Sequence, residues 1–191
     1  GAARAITPAD GIGTTCGYPR PRAVPPAATR RALEVLWSIF EDKREMQAWL
    51  DTAAACLAGD NPTNLLFTWL GAGGNGKGVL QDWLLAAFGG YATTWDGAML
   101  TADARSRDAP APTLLRVAGK RVVFVSEPRS GGGELNVDWL KKLSGGDRLE
   151  GRALHSNDVR SLVMTAKLVV LANELAVDSS DVALARRLVH V

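Results

Sequence analysis

Lys77 closes a glycine-dense run, Gly71-Ala72-Gly73-Gly74-Asn75-Gly76-Lys77-Gly78, followed by Val79. Glycines let successive backbone N–H groups turn toward one point, and such a concavity binds anions. A lysine at its end adds a mobile positive charge for the outer oxygens of a polyphosphate. The G-x-x-x-x-G-K spacing is met from Gly71 to Lys77, but Gly78 stands where Ser or Thr would help hold magnesium. A flexible turn is the plainer reading of the same residues. Two further polar residues end apolar runs: Glu127 after Val122–Val125, and Asn173 after Leu168–Ala172. Beside bound phosphates, a carboxylate polarises an attacking water or supports a metal ion. An amide there orients the water or senses the terminal phosphate. Taken singly, Glu127 suits an ordinary strand end and Asn173 a turn start. The usual pair of adjacent acids is reduced here to Ser126-Glu127.

These side chains need a scaffold that ends several strands at one place. Leu65–Leu70 reads as a buried strand, and Val79, Leu80, Trp83, Leu84 and Phe88 repeat at helical spacing after the loop. Residues 121–126 and 168–172 are apolar runs suited to strands buried on both faces, as in parallel sheets. Residues 187–191 read as a fourth strand, and 91–95 as a short one. In open α/β sheets ligands sit at the carboxyl ends of the strands, which predicts Lys77, Glu127 and Asn173 at one sheet edge. The fold class is α/β, a mostly parallel sheet flanked by helices, with a small N-terminal helical segment.

Prolines at 8, 19, 21, 25 and 26 forbid a long helix early in the chain. Residues 1–29 are therefore predicted as a linker or loosely packed arm, 30–62 as a helical segment, and 63–191 as a core incomplete on its C-terminal side. Helical signals start with Thr29 as a cap. One stripe runs Leu33, Leu36, Trp37, Phe40, and another Met46, Trp49, Leu50, Ala53, Leu57, with their aromatics as packing groups. Cys56 reads as a small buried hydrophobe. Residues 101–112 and 130–133 read as loop and connector.

Cations gather late. Lys141 and Lys142 end a helical pattern that runs from Leu135 to Leu143. Arg148, Arg152, His155 and Arg160 follow in a stretch that suits a hairpin. This segment is either a solvated hairpin or a surface for a phosphodiester backbone. Arg186-Arg187 enters the last strand, where one of the two can reach a phosphate on a neighbouring subunit.

The chain has 191 residues, 47% of them hydrophobic, with a net charge of only +2, so any basic surface is local. Cys16 and Cys56 give neither metal spacing nor a disulfide framework. No run reaches the roughly 18 apolar residues of a membrane helix, and no signal-peptide pattern is present. The start at Gly1 and the apolar end, Leu188–Val191, suggest part of a larger protein.

In order, the stretches GAGGNGKGVL, GKRVVFVSE, WLKKLSGGDRLEGRAL, KLVVLAN and ARRLVHV resemble the helicase domain of phage, plasmid and large-DNA-virus primase-helicases. That domain belongs to the superfamily 3 branch of the AAA+ P-loop NTPases, and the resemblance covers roughly residues 33–191. It implies an ATP-dependent DNA helicase motor with ATP and Mg²⁺ as cofactors. The site it implies comprises Gly71, Gly73, Gly74, Asn75, Gly76, Lys77, Gly78 and Val79 around the nucleotide, and Glu127 as catalytic carboxylate and magnesium ligand, directly or through water. Asn173 would be the polar sensor. Arg186 or Arg187 would be an arginine finger acting in trans, with Arg187 slightly preferred. Lys141, Lys142, Arg148, Arg152 and His155 would meet DNA. The implied partners are single-stranded or forked DNA, further copies in a ring, hexameric by resemblance, and a primase or primase-polymerase domain on the same or a partner chain. No membrane is implied. The implied setting is a phage-, plasmid- or virus-encoded protein in the host cytoplasm or replication compartment, not secreted. Gly78 and Ser126 depart from the pattern and keep open an ATP-binding ring-assembly module with weak turnover. A P-loop small-molecule kinase is the remaining alternative, although no acceptor-binding motif is visible.

Overall fold

The computed structural model describes residues 7, 13–19, 21–101, 112–128, 135–152, 158–174 and 181–191. Five short β-branched and aromatic runs pair into one parallel sheet: β1 (Leu66–Leu70), β2 (Ala92–Asp96), β3 (Val122–Ser126), β6 (Lys167–Ala172) and β7 (Leu188–His190). Their order across the sheet is β2-β3-β6-β1-β7. The central strands are buried on both faces, which is why they read as continuous apolar runs.

Alternate residues feed two cores. Phe67, Trp69, Val122, Phe124, Val169 and Leu171 face α1 (Pro26–Ile39), α2 (Lys43–Ala55) and α3 (Lys77–Phe88). Val123, Val125, Leu168 and Val170 face α5 (Val137–Ser144), with Leu114 of α4 (Pro112–Leu115) and Leu184 of α6 (Val182–Ala185). Each fully buried aliphatic or phenyl side chain contributes about 1.5–3 kcal/mol. The antiparallel hairpin β4 (Arg148–Arg152) and β5 (Val159–Val163) forms a separate two-stranded sheet, as its sequence suggests.

Three details differ from the sequence reading. The first helix begins at Pro26, not after a Thr29 cap, because proline suits a helix's first turn. Its expected stripe is split: Leu36 is buried, whereas Leu33 and Trp37 are 42% and 50% exposed. Trp37 is therefore not a core packing group. Leu57 lies beyond the end of α2 and is also exposed, whereas Cys56 is fully buried as expected. Burial pushes the Cys56 thiol up to about 12, against the pull of Lys167. Burial likewise lowers the ammonium of Lys167, which donates to the carbonyls of Ala58 and Asp60 and closes the turn after α2.

Part of the N-terminal arm is tied down. Tyr91 Oη donates to the Thr14 carbonyl at 2.6 Å, Gly90 N to Thr15 at 3.0 Å, and Tyr18 Oη to Ala87 at 2.5 Å. Gly89 makes room for this: its φ is +49°, and a Cβ there would meet the Cys16 carbonyl oxygen at 2.2 Å. Of the loop expected at 101–112, Thr101 bridges Leu135 and Pro112 opens α4, while 102–111, the connector at 130–133 and His155 lie outside the described residues.

Candidate functional site

Parallel register brings the singled-out residues to one edge. Leu70 pairs with Ala172, and Ser126 with Leu171, so the loop after β1, Glu127 and Asn173 all follow neighbouring strand ends. Residues 73–79, Glu127 and Asn173 wall a cavity of about 440 Å³. Gly71 is not on that wall; its carbonyl instead accepts a hydrogen bond from Lys77 Nζ at 2.5 Å. Lys77 Nζ also donates to the Ala72 carbonyl at 3.3 Å, Asn75 Oδ1 at 3.0 Å and Asn173 Oδ1 at 3.4 Å. The lysine on the cavity wall is thus folded back onto its own loop, bonded to both Asn75 and Asn173.

Lys77 is also the first residue of α3, whose opening N–H groups carry the positive end of the helix field. Gly76, at φ +89°, caps that helix, and a Cβ there would press on Ile39 at 2.8 Å. Glu127 adopts φ +46°, a left-handed conformation costly for a residue with a Cβ. It is held by its own N–H, which donates to the Leu171 carbonyl at 2.8 Å. The strain places an exposed carboxylate on the cavity wall where the strand turns away.

Glu127 is the one acid among the described residues of that wall, and no cluster of three metal-ligating side chains occurs among the described residues. One carboxylate fits Mg²⁺, a hard cation that keeps several waters and shares phosphate oxygens. Gly78 adds no ligand, but a Cβ there meets nothing within 4 Å. Beside Glu127, Ser126 Oγ donates to Gln81 Oε1 at 3.3 Å. Gln81 has no motif to mark it in the sequence; only the approach of α3 to the end of β3 brings it to this edge.

The cations divide into committed and exposed ones. Arg187 donates to the Lys141 carbonyl at 2.6 Å and to Ser144 Oγ at 3.0 Å, whereas Arg186 is exposed. The guanidinium of Arg187, the arginine slightly preferred from the sequence, pins the end of α5 within this chain. Lys141 pairs with Asp181 at 2.5 Å, while Lys142 is exposed. The Lys141 hydrogen bond, then the Leu184 N–H, hold the Asp181 carboxyl below its ordinary range. Arg148 and Arg152 share one hairpin face with Val163 and Val159, directly opposite them.

A loop joining a strand to a helix at the carboxyl edge of this five-stranded parallel sheet defines a P-loop, AAA+-like α/β fold. No protein-family model matches the chain. It is 30% identical over 146 residues to Putative helicase L207/L206 of Acanthamoeba polyphaga mimivirus. It is 31% identical over 119 residues to Putative helicase 022R of Frog virus 3. These alignments cover 76% and 62% of the chain but only 15% and 12% of the viral proteins, so the chain matches a segment of each. Among solved structures, the NrS-1 C-terminal region shares the fold, with TM-scores of 0.56 in two structures at 17% and 19% identity. Each likeness covers 82% of this chain and 36% of that one. Among the described residues no helix is long and apolar enough to cross a membrane.

Proposed function

We propose that the chain is the ATP-driven motor of a DNA helicase of the superfamily 3 type, carried by a virus-, phage- or plasmid-encoded replication protein in its host's cytoplasm or replication compartment. The observation that carries this reading is the convergence of Lys77, Glu127 and Asn173 on one cavity beside the start of α3. The similarity to viral helicase segments supports it.

In this reading, phosphates enter the cavity and draw Lys77 away from Gly71 and Ala72 to the outer oxygens. Glu127 takes up the proton of the attacking water, and Asn173 fixes that water's position. Mg²⁺, when bound, neutralises charge on the phosphates. Arg186 reaches a neighbour's site in a closed ring, hexameric by resemblance. Exposed Lys142, with Arg148, Arg152 and the segment of His155, tracks the phosphates of single-stranded or forked DNA. Lys141 supports this surface by holding Asp181. A primase or primase-polymerase domain accompanies this one; the arm gives way to the helical segment at Pro26, four residues before the boundary of 30 expected from the sequence, and the motor core follows from 63.

Gly78 and Ser126 favour a second reading, a ring-assembly module that binds ATP but turns it over slowly. ATP turnover with and without single-stranded DNA separates the two. DNA-stimulated turnover that disappears in Lys77→Ala is expected for the motor. ATP-dependent assembly with negligible turnover in both conditions would establish the module instead.

A further inference from the structure

α3 meets the strand ends through one of its faces. Lys77 and Gln81 stand four residues apart on that helix, so their side chains leave the same side one turn apart. Lys77 Nζ reaches Asn173 Oδ1, just beyond β6, at 3.4 Å. Gln81 Oε1 accepts from Ser126 Oγ, at the end of β3, at 3.3 Å. β3 and β6 are neighbours, with Ser126 beside Leu171. The helix that starts at the phosphate loop is thus tied to both strands whose ends carry the candidate chemistry.

The turn at 126–128 is held from two other sides. The Glu127 N–H donates to the Leu171 carbonyl on the β6 side. On the β2 side, a Cβ at Gly97 would stand 2.6 Å from Pro128 Cα and 2.7 Å from the Glu127 carbonyl oxygen, so that backbone lies directly against the turn. A left-handed residue with a Cβ persists only where its surroundings over-determine it. The sheet therefore fixes the Glu127 backbone, and the Ser126–Gln81 bond references it to α3, on whose first turn the phosphates would rest.

We propose that Gln81 and Ser126 are a positioning pair, which sets the Glu127 carboxylate relative to phosphates held at the start of α3. The pair's role rests on the nucleotide reading above. In that reading phosphates draw Lys77 off its loop, and its bond to Asn173 is given up. The Gln81–Ser126 bond does not involve the lysine, so it persists in the loaded site. Neither Gln81 nor Ser126 lines the phosphate cavity. Their effect passes through Glu127 and belongs to turnover, not to binding. Ser126, standing where the first of two acids is usual, then has its own use: its hydroxyl docks the helix.

Steady-state turnover and calorimetric MgATP affinity, measured on the same variants, test this. Gln81→Met and Ser126→Ala remove the bond at little change in volume. Each should lower kcat about ten- to a hundredfold, the effect of a misplaced reacting group, and leave MgATP affinity unchanged. The double variant should be no worse than either single one, because the same bond is lost in all three. Gln81→Met should have no further effect in Glu127→Gln. Ser126→Thr keeps the hydroxyl and should recover most of the turnover lost in Ser126→Ala. Unchanged kcat in both single variants, or additive losses in the double variant, overturns the pair. So does an affinity that falls in step with kcat, which would make the bond a support of the loop alone. If Gln81→Met does not fold, Ser126→Ala and Ser126→Thr decide on the same two readouts. An unmodified chain that binds no MgATP overturns the nucleotide reading itself. One that binds it without turnover establishes the assembly module and overturns the pair together with the motor.

Discussion

At the scale of single residues, the site turns on one departure and one commitment. Gly78 lacks the hydroxyl that would hold magnesium, yet a Cβ there meets open space. Gly78→Ser should therefore fold normally and lower the magnesium needed for half-maximal turnover by about tenfold. An unchanged magnesium titration would mean that the site is completed in another way. Arg187 and Arg186 should separate by what they touch. Arg187→Ala removes bonds to Lys141 and Ser144 and should cost about 1.5–3 kcal/mol in denaturant unfolding. Arg186→Ala should leave stability intact and abolish turnover, which returns in part when it is mixed with Lys77→Ala chains. The arginine pair was legible as a motif, but the division of labour was not. It depends on where the end of α5 meets α6, a contact between segments some 40 positions apart.

At the scale of elements, sequence periodicity marked the three central strands because burial on both faces leaves an unbroken apolar run. Glycine spacing marked the loop. Periodicity did not show that Leu33 and Trp37 face outward, because a helical stripe records spacing and not which neighbour covers it. Nor did it show that residues 14–18 dock on the end of α3, since that contact runs through backbone carbonyls. The α5–hairpin unit makes two predictions. Lys142→Ala should weaken DNA binding alike for all sequences and reduce the log–log salt slope by about 1, while ATP binding persists. Unchanged, salt-insensitive DNA binding would return this surface to ordinary solvation. The Lys141–Asp181 pair behaves differently. Asp181 has a lowered folded value, so its stabilisation is present above the ordinary carboxylate value of 3.8 and is lost as pH falls through the lower folded one. Acid unfolding monitored by circular dichroism should lose this contribution in Lys141→Met, making its stability less sensitive to pH there. Identical acid profiles would dismiss the pair as a contributor.

At the scale of the whole molecule, the sheet order β2-β3-β6-β1-β7 turns three distant sequence signals into one cavity. The strand ends of β1, β3 and β6 were legible, but their adjacency rests on register, which pairs Leu70 with Ala172 and Ser126 with Leu171. The central claim is that this edge grips nucleotide phosphates through Lys77, while Glu127 acts on the attacking water and supports magnesium only through its waters. Titration calorimetry of MgATP into Lys77→Ala and Glu127→Gln tests it most directly. Glu127→Gln should bind about as tightly as the unmodified chain, and Lys77→Ala should bind about ten- to a hundredfold more weakly, the loss of a charge-assisted bond. Equal affinities in the two variants would contradict the account.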